Sequence, residues 1–80
     1  MSTNTNSEAL FAVFAKELHN LLDAVAGIHA SDKFKESLTV DAEACAILAN
    51  KALVADSVDT LAHLCEYARD VNERLAKEFL

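Results

Sequence analysis

Val58, Leu61, Leu64, Cys65, Ala68, Val71, Leu75 and Phe79 recur three or four residues apart through the last part of the chain. That spacing places them on one face of an α-helix. A face so apolar has to be covered, and the rest of the chain is constrained to cover it. One glycine and no proline leave little turn chemistry, so the elements must be few and long. Ala, Leu, Glu and Lys, all strong helix formers, dominate the sequence. The expected fold class is all-α: a helical hairpin or a three-helix bundle.

Residues 1–6 are polar and are expected to form a disordered tail, followed by a single helical domain over 7–80. Ser7 is placed to cap a first helix over about residues 7–28, with Glu8 in its first turn near the exposed N–H groups. Phe11, Phe14, Leu18, Leu21, Val25 and Ile28 alternate at spacings of three and four, with Leu10 and Leu22 widening the stripe. Lys16, Glu17, His19, Asn20 and Asp23 take the opposite side. Gly27 sits where a left-handed C′ residue commonly ends a helix. Over residues 29–40 the periodicity lapses and a connection is expected, with Phe34 and Leu38 folding back over a helix end. Thr39 or Asp41 then caps a second helix over about 41–55, dense in alanine and suited to being sandwiched between neighbours.

The third helix is expected over about 57–79, and whether it is separate from the second decides the architecture. Asp56-Ser57-Val58-Asp59 reads as an N-cap with an acidic first turn, yet Ile47, Val54, Leu61, Ala68 and Leu75 keep a seven-residue period straight through it. A continuous helix from Val40 to Leu80 would be about 60 Å long, far more than the first helix can cover. A break at Asp56-Ser57 is therefore expected. On the outer face of the last helix, Asp70 with Arg74 and Glu73 with Lys77 have the spacing of i, i+4 ion pairs.

A chain of 80 residues holds one small core and is only marginally able to stabilise itself, so completion by homodimerisation is expected. Phe11, Phe14, Leu18, Leu61, Leu64, Val71, Leu75 and Phe79 are the candidates for that core or for the interface between copies. A net charge of −6 argues against direct nucleic-acid binding, which relies on Lys and Arg neutralising phosphates. No apolar run reaches the length of a membrane span, so no membrane association is expected. Cys45 and Cys65 sit within apolar helical patterns and form no CxxC pair. They read as buried thiols in a reducing compartment, and a cytoplasmic location is expected.

No catalytic or metal site is expected. His63 and Cys65 lie two residues apart, about 200° around a helix, and cannot share an ion. His19 and His29 lack a sufficient set of neighbouring ligands. Ser57, Cys45 and Cys65 have no glycine-rich elbow beside them for nucleophilic catalysis. Ala55-Asp-Ser-Val-Asp-Thr-Leu61 resembles the phosphopantetheine attachment motif of acyl carrier proteins, in which the serine after the aspartate carries the prosthetic arm at the start of a helix. The resemblance implies Ser57 as the attachment point. It covers seven residues, the glycine-containing loop that precedes the motif in that family is missing, and the chain after Ser57 has no room for the family's two further helices.

Tyr67 flanks the apolar stripe of the last helix, and with His63, Arg69 and Arg74 it is the candidate contact for a protein partner, tyrosine and arginine being enriched at binding hot spots. The expected function is that of a small acidic helical interaction module, a non-enzymatic regulator or inhibitor needing no cofactor. In size and composition it resembles small bacterial or phage-encoded regulators. The alternatives are an acidic nucleic-acid mimic that blocks a DNA- or RNA-binding protein, and the acyl-carrier-like protein modified on Ser57.

Overall fold

A computed structural model describes residues 5–79. Residues 1–4 of the expected tail, and Leu80, lie outside the described residues. The chain forms three helices: α1 (Thr5–Gly27), α2 (Asp32–Val54) and α3 (Val58–Phe79). All three pairs are in contact, and α1 packs most extensively on α3. The Cys65 thiol donates to the Leu10 carbonyl and the Asn72 amide donates to the Glu17 carbonyl, so α1 and α3 run parallel with a constant offset. The antiparallel α2 joins them in an up-down-up bundle.

Two packed groups make the core. At one end Phe14 meets Ala49, Ala52, Leu61, Leu64, Cys65 and Ala68. At the other, Leu21, Val25 and Ile28 meet Ala42, Val71 and Leu75. Half-buried Leu18 packs against both groups, and Phe11 against the first. Of the residues expected at the core or the interface, Phe14, Leu61, Leu64, Val71 and Leu75 are thus buried within one chain. Phe79 is at the rim, where its ring meets Phe34 at a centroid distance of 5.7 Å.

The break after α2 falls at Asp56, the only non-glycine residue with positive φ (56°) among those described. Asp56 N–H donates to the Leu53 carbonyl (3.2 Å) and Ser57 N–H to the Ala52 carbonyl (2.8 Å). This is the paired bonding of a Schellman cap, with aspartate at the left-handed C′ position that glycine usually fills. Ser57 occupies the position before α3, where its carbonyl accepts the first helical bond from Leu61 N–H at 3.1 Å. Across the bundle, the fully buried Ser7 hydroxyl donates to the Asp56 carboxylate. Ser7 therefore does not cap α1. The helix starts earlier, and the hydroxyl is committed to a neighbouring turn.

The connection expected over 29–40 is instead helical from Asp32. Ser31, extended at φ −64° and ψ 150°, caps α2 by accepting from Phe34 N–H at 3.2 Å, with Asp32 in the first turn. Thr39 and Asp41 are interior to the helix, and the Thr39 hydroxyl donates to the Lys35 carbonyl. Gly27 lacks positive φ and is simply the last residue of α1. Nor is α2 sandwiched. Its buried side is a seam of Ala42, Ala49 and Ala52, while Val40, Ile47, Leu48 and Val54 are between 50% and 87% exposed.

Two stability measurements test this account. A Cβ at Gly27 would meet nothing within 4 Å, so Gly27→Ala is expected to raise the unfolding free energy by about 0.5–1 kcal/mol in urea denaturation. Ser7→Ala should cost about 1–3 kcal/mol in the wild type and distinctly less in an Asp56→Ala background. An equal cost in both backgrounds would show that Asp56 does not hold the hydroxyl.

Candidate functional site: a cleft between the second and third helices

A cleft of about 370 Å³ lies between the first half of α2 and the last half of α3. Its floor is apolar, made by Leu38, Val71 and Leu75, the last two buried. Phe34 and Phe79 also line it, in tilted contact with each other. The exposed Tyr67, Asp41, Asp70, Arg74 and Glu78 complete the lining. A half-open apolar trough carrying three carboxylates and one guanidinium suits an apolar side chain with a positive charge beside it. The volume is at the low end of the range in which small ligands or partner side chains are held.

Tyr67 carries the electrostatic signature of the site. Its phenol pKa is raised, first by burial and then by the nearby Asp41 charge and Cys45, against an opposing effect of Arg74. Like any phenol, the hydroxyl is protonated at neutral pH and can donate. Arg74 is not in ion-pair contact with Asp70, nor Lys77 with Glu73. Among the described residues Arg69 pairs with Glu17 at 3.9 Å, and His19 Nε2 lies 3.4 Å from the Asp23 carboxylate.

Of the four residues expected at a partner surface, the structure thus brings Tyr67 and Arg74 together. His63 is exposed one turn above Tyr67, outside the cleft. Arg69 is turned toward α1, beside Glu17. The same Glu17 carboxylate accepts from the Asn72 amide at 3.1 Å, and its backbone carbonyl accepts from that amide at 3.0 Å. Glu17, expected on a solvated face, is therefore half-buried and ties α1 to α3. Phe34, Leu38 and Asp41 were missed as site residues, although Ser31-Asp32 reads as a cap and their i, i+4, i+7 spacing continues α2 toward its N-terminus.

Ser57 Oγ donates to the Thr60 hydroxyl at 2.8 Å, and no helix follows α3 among the described residues. Cys45 and Cys65 are unpaired. Burial raises both thiol pKa values, with Asp41 adding to the rise at Cys45 and Arg69 opposing it at Cys65, the direction opposite to that of an activated thiolate. No group of three or more His, Cys, Asp or Glu side chains suited to a metal ion occurs among the described residues. No described helix is long and apolar enough to cross a membrane. Comparison with known protein families, with curated proteins and with solved structures finds no match for the chain.

The raised pKa values of Cys45, Cys65 and Tyr67 set one sign of pH dependence. Each group is neutral when protonated and gives up its proton more easily in the unfolded chain. Its contribution is complete below the ordinary thiol and phenol pKa values of about 8.5 and 10, and is lost as pH rises through the folded values. Thermal midpoints are expected to fall from about pH 9 upward, and the absorbance titration of Tyr67 to lie above that of free tyrosine. A midpoint that rises with alkalinity would contradict the first expectation, and a Tyr67 titration at or below that of free tyrosine the second.

Proposed function

We propose that the protein is a small acidic interaction module that regulates or inhibits a protein partner without catalysis, and that it works as a homodimer. The cleft beside Tyr67 carries this reading. It is the place among the described residues where exposed aromatic rings, an apolar floor and uncompensated carboxylates meet. Its chemistry selects a partner segment that places an aromatic or aliphatic side chain on Leu38, Val71 and Leu75, with a Lys or Arg toward Asp41, Asp70 and Glu78. Tyr67 supplies a rigid apolar body with a polar tip, the property that makes tyrosine common at binding hot spots. Two unpaired thiols of low reactivity suit a reducing cytoplasm.

The test is capture of proteins from a lysate of the source cells on immobilised wild type and on Tyr67→Ala, each at low and high salt. Truncating Tyr67 removes contact area without opening the core, so helicity should be unchanged. A partner held in the cleft should be retained at high salt by the wild type and lost by about tenfold or more on Tyr67→Ala. Binding that survives Tyr67→Ala and collapses with salt would point instead to an acidic surface acting as a nucleic-acid mimic.

A further inference from the structure

We propose that the outer face of α2 is the seat of a second copy of this chain, packed antiparallel about a two-fold axis that passes beside Ile47. The inference rests on the homodimer reading above and gives it a surface. Residues expected to bind the copies together, Phe14, Leu61, Leu64, Val71 and Leu75, are buried in the bundle and unavailable. Val40, Ile47 and Val54 recur every seven residues on the side of α2 opposite its alanine seam, and all are more than half exposed. Burying aliphatic residues inside is the usual arrangement, and here the helix does the reverse.

The face is complementary to itself in one register. With the axis at Ile47, residues equally far before and after it meet across the pair. Val40 then faces Val54 of the second copy, and Glu43 faces Lys51, each of these pairings occurring twice by symmetry. Val54 also lines a shallow, largely apolar hollow with Asn50, Lys51 and Ala55, into which Val40 of the second copy would seat. A parallel pairing would instead set Glu43 against Glu43 and Lys51 against Lys51, so the charges select the antiparallel one.

Sedimentation equilibrium over a wide concentration range tests this, with circular dichroism on every variant. The wild type is expected to dimerise, and Ile47→Asp to be monomeric with unchanged helicity. Glu43→Lys and Lys51→Glu should each weaken association by roughly threefold to thirtyfold, since two ion pairs are lost by symmetry. The double swap Glu43→Lys with Lys51→Glu should recover the wild-type constant. These two residues lie two turns apart on one helix and do not meet within a chain, so the rescue reports contact between copies. A monomeric wild type would overturn the homodimer reading and this surface together. A dimer indifferent to Ile47→Asp would overturn this surface alone and place the interface elsewhere. Failure of the double swap to restore association would overturn the antiparallel register.

Discussion

The left-handed turn at Asp56 is the constraint on which the bundle depends. Without it, α2 and α3 are one rod, because no proline or glycine interrupts them and the seven-residue apolar period runs through the junction. A left-handed residue other than glycine costs about 1–2 kcal/mol, and aspartate is among the few that accept the conformation. Two backbone bonds close the turn, and the Ser7 hydroxyl holds the Asp56 side chain from across the bundle. The reversal is thus fixed by a residue about fifty positions away as well as by its own neighbours. Because α1 and α3 lie in parallel register, that tie also sets which turns of α1 meet which turns of α3.

The same turn explains why one apolar series has two fates. Ile47 and Val54 continue in sequence into Leu61, Ala68 and Leu75, yet the first two are exposed and the last three are buried. Three residues between the helices, Ala55, Asp56 and Ser57, shift the phase, so α2 meets the core through alanines and α3 through leucines. Small side chains let α2 lie close to both other helices while adding little volume of its own. The large residues of α1 and α3 fill the centre, and those of α2 are left outside.

What the sequence disclosed follows from what periodicity records. The apolar stripes of α1 and α3 are strong enough to name Phe14, Leu61, Leu64, Val71 and Leu75, and the N-cap signature at Asp56-Ser57 located the break. The first turns of α2 carry Lys33, Lys35 and Glu36 with only Phe34 and Leu38 as anchors, a pattern sparser than the α3 stripe that by itself suggests a connection. The cleft inherits that difficulty, since half of it is built from those turns. The roles of Ser7 and Glu17 are hidden from the sequence for a different reason. Their long-range partners, Asp56 for Ser7 and both Arg69 and Asn72 for Glu17, are set by how the helices dock, and a polar residue beside a core shows no periodicity. Gly27 shows the converse, a glycine at a helix end whose special conformation is not used.

Cleft and outer stripe share α2 without competing for it. Phe34, Leu38 and Asp41 point at least a quarter-turn away from the line of Val40, Ile47 and Val54, so a second copy on the stripe leaves the cleft open. In the antiparallel pair the cleft turns of α2 lie on opposite sides of the axis at Ile47. Leu38 is nine residues from that axis, and at ~1.5 Å per residue the two clefts would sit about 27 Å apart along the helices. The proposed dimer would offer two equivalent sites facing opposite ways. A partner that is itself two-fold symmetric, or that repeats its basic-apolar segment at a comparable spacing, gains from engaging both. The second contact is then intramolecular, and its strength depends on geometry more than on added surface. On the proposed assignment, the sides of α2 turned away from its alanine seam would carry assembly and recognition.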